Sequence, residues 1–283
     1  MHWETLIDAA SLRNTLGDPL LVVVDCRFDL ADTGRGERAW RDGHIPGAHY
    51  AHLDRDLSDL GRRGRGRHPL PDASAFCASL ARWGVTPAHQ VVAYDASGGM
   101  VAARLWWMLR LLGHRAVAVL DGGIAAWQAA GGALSQAPPT AAAGRYEGTF
   151  DAQMIVSTQE LEAQLARKDG LLLDARAGER FRGEVEPLDP RAGHIPGACN
   201  HPFMQNLAAD GRFHSRELLA ARFRTLLGDR APAEVVHMCG SGVSACHNLL
   251  AMDHAGLTGS RVYAGSWSEW VSVPERAVAI GTQ

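Results

Sequence analysis

The sequence lacks a long hydrophobic run, a framework of paired cysteines and a large excess of either charge sign. No stretch approaches the roughly 18 consecutive apolar residues that a membrane-spanning helix requires, and the first residues lack the basic-then-apolar pattern of a secretory signal. The net charge of −3 gives no general reason to expect nucleic acid as a partner. We therefore expect a cytoplasmic protein that binds neither membranes nor nucleic acids.

Cysteine is scarce, and the cysteines that are present form no recognisable set. An odd number of them without a Cys-x-x-Cys pair is typical of free thiols in a reducing compartment, and it indicates neither disulfide bonds nor a zinc site. The five are Cys26, Cys77, Cys199, Cys239 and Cys246. We expect no metal and no cofactor.

The sequence does contain a long internal repeat. The run Gly43–Ala48, which reads Gly-His-Ile-Pro-Gly-Ala, recurs 150 residues later as Gly193–Ala198. A period this long indicates a duplicated domain, because solenoid repeats are only roughly 20–50 residues long. A linker rich in Ala, Gly and Pro lies between residues 131 and 148. We predict two domains, at residues 1–133 and 150–283.

Each half of the repeat alternates short apolar runs with helical patterns. The apolar runs are residues 20–25, 91–94 and 117–120 in the first half and 171–174, 235–238 and 261–263 in the second. Such alternation indicates parallel βαβ units. We predict an α/β fold in each half, a mainly parallel sheet with helices on both faces, and ligands bound beyond the carboxyl ends of the strands.

Cys239 is distinguished from the other cysteines by its surroundings. It directly follows the apolar stretch Val235–Met238 and opens the run Cys-Gly-Ser-Gly-Val-Ser, after which a helical pattern begins. A thiolate at such a strand-to-helix turn faces backbone N–H groups and the positive end of a helix, which stabilise it as a nucleophile. A buried structural cysteine is the alternative, but it does not need so many small residues around it.

The loop from Cys239 to Ser244 resembles the active-site loop of the two-domain rhodanese and 3-mercaptopyruvate sulfurtransferase family, specifically its mercaptopyruvate branch, where Thr is usual at the position of Ser244. Through the repeat, the resemblance covers nearly the whole chain. It implies two tandem rhodanese-like domains of which only the second is catalytic, because Asp95 stands in the first half where Cys239 stands in the second. A carboxylate cannot accept sulfane sulfur.

The resemblance also implies the reaction. The Cys239 thiolate takes sulfur from a donor, becomes a persulfide and passes the outer sulfur to cyanide or to a thiol, such as a small thiol or a thioredoxin-like protein. Rhodaneses that use thiosulfate carry basic residues after the cysteine, whereas Gly240 and Ser241 are neutral, so 3-mercaptopyruvate is the expected donor and thiosulfate the alternative. The N–H groups expected to hold the negative charge belong to Gly240, Gly242, Val243 and Ser244.

Four side chains receive roles from the same resemblance. Arg180 corresponds to an arginine that binds the anionic end of the substrate, and Arg191 is the candidate for a second such arginine at a shifted spacing, unless that role is unfilled or both are surface residues. Ser241 and His44 are expected to transfer a proton near the sulfur. His44 is alternatively a turn residue, because His194 occupies the same motif in the second half.

Three further interpretations concern competing functions. The basic run Arg62–His68 is interpreted as a solvated loop rather than a phosphate or RNA site. A Cys-based phosphatase needs arginine six residues after the nucleophile, where this chain has Ala245. A catalytically silent binding protein is disfavoured by the presence of Cys239.

Overall fold

The computed structural model describes residues 2–140 and 144–282, which form two compact units. Within the described residues, the first unit comprises 2–59, 71–151 and 209–213, and the second comprises 60–70, 152–208 and 214–282. Neither unit is continuous in sequence. The repeat places a boundary between residues 133 and 150, whereas compactness assigns the early segment 60–70 to the second unit.

The first unit is built on a parallel sheet. Its strands pair in the order β1-β5-β4-β2-β3, and they are β1 (Leu6–Ile7), β2 (Leu21–Asp25), β3 (His49–Tyr50), β4 (Gln90–Tyr94) and β5 (Val117–Leu120). Its helices are α1 (Ala9–Thr15), α2 (Arg35–Asp42), α3 (Leu53–Asp56), α4 (Ala73–Arg82), α5 (Ala102–Leu111) and α6 (Gly123–Ala129). A buried apolar cluster packs α1 and α6 on the sheet, and α5 contacts β4 and β5.

The second unit repeats this plan. Its parallel strands pair in the order β7-β6-β8-β9, and they are β6 (Leu171–Asp174), β7 (Ala198–Asn200), β8 (Val235–Met238) and β9 (Arg261–Val262). Its helices are α7 (Thr158–Arg167), α8 (Gly178–Phe181), α9 (Arg216–Leu227), α10 (Ser244–His254) and α11 (Ser266–Trp270). Single turns of 3-10 helix cover Ala152–Met154, Phe203–Asn206 and Pro232–Glu234.

The edges of the two sheets also correspond. A parallel bridge between Ile155 and Val262 lies beyond β9, at the position that β1 takes in the first sheet. The predicted α/β fold with two parallel sheets flanked by helices is therefore confirmed. In the described part of the chain, we find no helix with the length and apolar character needed to cross a membrane.

The repeated sequence motifs have the same structural role in both units. Arg27 pairs with the Asp25 carboxylate at 2.6 Å, and its Nη2 also donates to the carbonyl oxygen of Gly43 at 2.7 Å. The Asp-x-Arg motif at the end of the strand therefore fastens the Gly-His-Ile-Pro-Gly turn to the sheet. The second unit repeats both contacts, at 2.6 Å and 2.7 Å, among Asp174, Arg176 and Gly193.

The histidine of this turn is also held in the same way in both units. The His44 ring stacks on Trp40 with 4.8 Å between the ring centroids, and its Nδ1 lies 2.8 Å from the Trp40 carbonyl oxygen. The His194 ring stacks on Phe181 at 3.8 Å, and its Nδ1 lies 2.8 Å from the Phe181 carbonyl oxygen. Both histidines are buried. They therefore pack the turn against the chain that precedes it.

Candidate active site

Cys239 lies at the carboxyl end of β8, and α10 begins at Ser244. The predicted strand-to-helix turn is thus confirmed. Strand β8 lies between β6 and β9, and from β6 the chain runs to β7 on one side and to β8 on the other. The loop therefore sits at the point where the strand order reverses, which is where ligands bind in open parallel sheets.

The backbone of the loop curls around the thiol. The N–H group of Gly242 donates to the Sγ atom of Cys239 at 3.1 Å, and the Cys239 residue is only 2% exposed. Gly242 has φ +76°, and a Cβ atom at this position would lie 2.2 Å from the carbonyl oxygen of Ala264. Only glycine fits both the left-handed backbone and this close approach.

Gly242→Ala is expected to destabilise the second unit and to impair its chemistry. The left-handed backbone alone opposes a side chain by about 1–3 kcal/mol, and the carbonyl oxygen of Ala264 blocks the added methyl group. Gly256→Ala is a matched control, because Gly256 has φ +80° with open space around it. Urea unfolding should show a larger loss of unfolding free energy for Gly242→Ala than for Gly256→Ala. Equal losses of unfolding free energy would contradict the close approach of the Ala264 carbonyl oxygen to Gly242.

A second segment, residues 266–268, holds the loop in place through hydrogen bonds. The N–H groups of Trp267 and Ser268 donate to the carbonyl oxygens of Cys239 and Gly240 at 3.0 Å and 2.9 Å. The hydroxyl of Ser266 accepts a hydrogen bond from the Cys239 N–H group at 3.1 Å. Ser266 holds this position at φ +54°, an uncommon conformation for a residue with a side chain. The run 266–270 thus contributes to the core and also holds the loop that begins at Cys239.

Ser241 has a histidine partner from a distant part of the sequence. The Ser241 Oγ and His68 Nδ1 atoms are 2.7 Å apart, and both residues are buried. His68 belongs to segment 60–70, which is part of the second unit. This segment is held in place because the N–H group of Arg67 donates to the Ser268 hydroxyl at 3.0 Å. A hydroxyl and an imidazole in contact, with the hydroxyl two residues after the Cys239 thiol, form a pair that can move a proton.

The interpretation of the basic run Arg62–His68 as a solvated loop is correct for its first part only. Residues 61–65 are exposed, whereas Arg67 is partly buried and His68 is buried. A signal in the sequence is the transition from alternating Gly and Arg to His68-Pro69-Leu70-Pro71, where the pattern of a solvated basic loop ends. That change in pattern does not identify the partner of either side chain.

Two guanidinium groups approach the loop at Gly240. A Cβ atom on Gly240 would lie 3.0 Å from Arg67 Nη2 and 3.4 Å from Arg180 Nη1. Arg180 also pairs with Glu186, with Nη2 2.7 Å from Oε1, and its Nη2 lies 3.3 Å from Asp189 Oδ2. Arg67 Nη1 pairs with Asp189 Oδ1. Asp189 therefore bridges the two arginines.

The assignment of His44 as the partner of Ser241 is corrected by the structure. His44 lies in the first unit, where Nε2 is 3.1 Å from the carbonyl oxygen of Ala137 and Nδ1 faces Trp40. The histidine that contacts Ser241 is His68. The family motif indicated the wrong histidine, because the histidine of that motif packs the turn against Trp40. This is the alternative role of His44, that of a turn residue.

The assignment of Arg191 to substrate binding is also corrected. Its Nη1 donates to the carbonyl oxygens of Pro274 and Arg276 at 3.1 Å and 2.9 Å. Its own carbonyl oxygen accepts a hydrogen bond from Trp267 Nε1 at 3.0 Å. Arg191 therefore braces the C-terminal segment. The second guanidinium at Gly240 comes from Arg67, which no motif in the sequence distinguishes from its neighbours.

Three of the other cysteines have surroundings that do not favour a nucleophile. Cys246 is buried in α10, and its thiol donates to the Gly242 carbonyl oxygen at 3.3 Å. Burial raises the pKa of the Cys26 thiol well above its usual range, and the nearby Asp95 carboxylate adds to the effect. Burial also raises the pKa of the Cys77 thiol. A raised pKa leaves less thiolate at neutral pH.

The corresponding loop of the first unit already holds an anion, its own Asp95 carboxylate. That carboxylate accepts four backbone hydrogen bonds at 2.8–3.0 Å. The donors are the N–H groups of Ser97, Gly99, Val101 and Ala102. The strand-to-helix loop of this fold thus binds negative charge through its backbone, as the sequence predicted for Cys239. In the first unit, the side chain that fills the hollow is not a thiol.

Comparison with known proteins identifies the class to which this arrangement belongs. The chain matches the rhodanese-like domain twice, over residues 8–130 and 157–273. It therefore belongs to the rhodanese-like family, with two copies of the domain, and the predicted family is confirmed.

Individual relatives have more particular names. The chain is 51% identical to the probable 3-mercaptopyruvate sulfurtransferase of Pseudomonas aeruginosa, over 99% of this chain and 100% of the relative. It is 41% identical to the putative thiosulfate sulfurtransferase SseB of Mycobacterium tuberculosis, over 99% and 98% of the two chains. The structure of the 3-mercaptopyruvate sulfurtransferase from Leishmania major matches with a TM-score of 0.84 at 30% identity, over 95% of this chain and 74% of that chain.

Proposed function

We propose that the protein is a 3-mercaptopyruvate sulfurtransferase that works through a persulfide on Cys239. The observation that carries this proposal is the neutral loop, in which the Gly242 N–H group faces the Cys239 sulfur and Ser241 contacts His68. The loop itself offers hydrogen bonds and a proton-handling pair rather than a cation. Such a loop suits a sulfur donor that is itself a thiol and whose carboxylate lies at the other end of the molecule, away from the sulfur.

In the first half-reaction, the Cys239 thiolate attacks the sulfur of 3-mercaptopyruvate. A sulfur–sulfur bond forms, the donor's carbon–sulfur bond breaks, and its electron pair leaves on carbon as the enolate of pyruvate. The proton of the donor thiol must reach that carbon to complete pyruvate. Ser241 and His68 relay this proton, because their 2.7 Å contact joins a ring nitrogen to a hydroxyl on the loop that begins at Cys239.

The persulfide carries a negative charge that the loop stabilises. The Gly242 N–H group already donates to the Cys239 sulfur, and we assign the N–H groups of Gly240, Val243 and Ser244 to the same anion. The first unit supports this role, since its corresponding loop surrounds the Asp95 carboxylate with N–H groups. Arg180 adds a charged contact for the donor, because its Nη1 faces Gly240 while Glu186 holds its Nη2.

In the second half-reaction, an acceptor thiolate attacks the outer sulfur and Cys239 leaves as a thiolate. The acceptor is then the persulfide, and the enzyme has returned to its first state. We propose a small thiol or the exposed thiol of a thioredoxin-like protein as the acceptor, with cyanide as a laboratory substitute. Five free cysteines support a reducing, cytoplasmic location.

Thiosulfate is the second candidate donor, because two arginines face Gly240. Both are compensated, however, by the carboxylates of Glu186 and Asp189, whose side chains are only 3% exposed. The cluster therefore offers hydrogen-bond donors with little net positive charge. Such a site suits one carboxylate better than a sulfur-containing dianion.

We expect catalytic efficiency with 3-mercaptopyruvate to exceed that with thiosulfate by at least about tenfold. The reason is the absence of uncompensated charge beside Cys239 within the described residues. Steady-state kinetics with both donors, side by side and with the same thiol acceptor, measure the ratio. If the wild-type protein turns over thiosulfate faster than 3-mercaptopyruvate, the proposed donor is wrong and thiosulfate is the better candidate.

A further inference from the structure

The two arginines at Gly240 offer different parts of their guanidinium groups. Arg180 uses its Nε and Nη2 atoms on the Glu186 carboxylate, with distances of 3.3 Å and 2.7 Å. Its side-on edge is therefore occupied, and only Nη1 faces Gly240. A single N–H group positions a carboxylate less firmly than two parallel ones.

Arg67 has the opposite arrangement. Its Nη1 pairs with Asp189, which leaves the edge formed by Nε and Nη2. Nη2 is the atom that faces Gly240, 3.0 Å from the position of a Cβ atom there. Nε is buried, and it has no hydrogen-bond partner among the residues that the structure describes. Buried N–H donors in native proteins nearly always have an acceptor, so an acceptor is expected for the Nε–H group of Arg67.

We infer that Arg67 is the principal clamp for the donor's carboxylate, which it grips through its Nε–Nη2 edge while Arg180 contributes one N–H group. The inference rests on the proposed function and names the residue that determines its substrate class, an α-keto carboxylate. Arg67 thereby supplies the second guanidinium that Arg191 does not, because Arg191 is engaged with carbonyl oxygens of the C-terminal segment.

Asp189 acts as the positioning residue of this clamp. Its carboxylate holds Arg67 Nη1 on one oxygen and lies 3.3 Å from Arg180 Nη2 on the other. It fixes the plane of the Arg67 guanidinium and reduces the repulsion between the two cations. The backbone of Arg67 is fixed independently by the Ser268 hydroxyl. The Nε–Nη2 edge of Arg67 is therefore held in a fixed orientation beside Gly240, which lowers the cost of ordering it when a ligand binds.

Kinetics with Arg67 variants test the inference. Arg67→Ala should raise KM for 3-mercaptopyruvate at least about tenfold, equivalent to ~1.4 kcal/mol, with a much smaller change in kcat. Arg67→Lys should be nearly as impaired, because an ammonium cannot present two parallel N–H groups. Arg180→Ala should have the smaller effect on KM. Arg63→Ala removes the same charge from an exposed position of the same segment and should leave KM unchanged.

Pyruvate separates donor binding from chemistry, since it carries the carboxylate but no transferable sulfur. As a competitive inhibitor, it should bind Arg67→Ala at least about tenfold more weakly than wild type. A merely structural role for Arg67 would lower the melting temperature and leave the pyruvate inhibition constant unchanged. That result, or a wild-type KM in Arg67→Lys, would overturn the inference. Wild-type protein that forms no persulfide from 3-mercaptopyruvate would instead overturn the proposed function.

Discussion

Cys239→Ser is expected to abolish sulfur transfer and persulfide formation. The hydroxyl that replaces the thiol is a poor nucleophile toward sulfur, and the Gly242 N–H group is placed to stabilise a negative charge on the sulfur of Cys239. Intact-mass measurement after treatment with 3-mercaptopyruvate should show one added sulfur atom on the wild type. The variant should show none, and its turnover should fall to the uncatalysed rate.

Cys246→Ser is the matched control for this experiment. Cys246 is buried in the same part of the second unit, but its thiol donates to the Gly242 carbonyl oxygen. A serine hydroxyl preserves that donor, so the variant should fold and gain one sulfur atom as the wild type does. A persulfide mapped to Cys246, or retained in Cys239→Ser, would reject Cys239 as the nucleophile.

His68→Ala is expected to lower kcat for 3-mercaptopyruvate by about 100-fold or more, the lower range for loss of a positioned acid or base. The imidazole contacts the Ser241 hydroxyl at 2.7 Å, so its removal interrupts the proposed path of the donor's proton. Rapid-mixing measurement of pyruvate release in a single turnover isolates this step from the acceptor half-reaction. KM should change much less than kcat.

Three further variants make this prediction specific. Ser241→Ala should reproduce the defect, and the double variant should be little worse than either single one, because the two groups act as a unit. His44→Ala should lower the melting temperature through loss of the stacked ring, with kcat unchanged. A defect in kcat for His44→Ala together with normal chemistry in His68→Ala would restore the assignment that the family motif favoured.

The loop from Cys239 to Ser244 was the part of the candidate site that could best be predicted from the sequence. Its requirements are local: a strand that ends at Cys239, a glycine that allows φ +76° at Gly242, and a helix that begins at Ser244. All of these are encoded within a few consecutive residues. The position of Asp95 in the other half likewise followed from alignment of the repeat alone.

The residues that complete the site were not accessible in this way. His68 and Arg67 come from a segment of the first half of the sequence, and their contacts with Ser241 and Asp189 link positions more than a hundred residues apart. The pattern of a Gly- and Arg-rich run does not show which of its side chains contact the loop that follows Cys239 and which remain exposed to solvent. Arg65 remains exposed, whereas His68 is buried.

The sequence by itself determined the duplicated parallel α/β fold and the family, and it predicts Cys239 as the nucleophile, because each of these inferences depends on periodicity, repetition or a short local motif. Only the tertiary structure decided which histidine contacts Ser241 and which arginine accompanies Arg180 at Gly240. Those choices depend on how distant backbone segments are held, as when the Ser268 hydroxyl fixes the N–H group of Arg67. Contacts of this kind are set by packing across the unit, which a pattern of neighbouring residues does not encode.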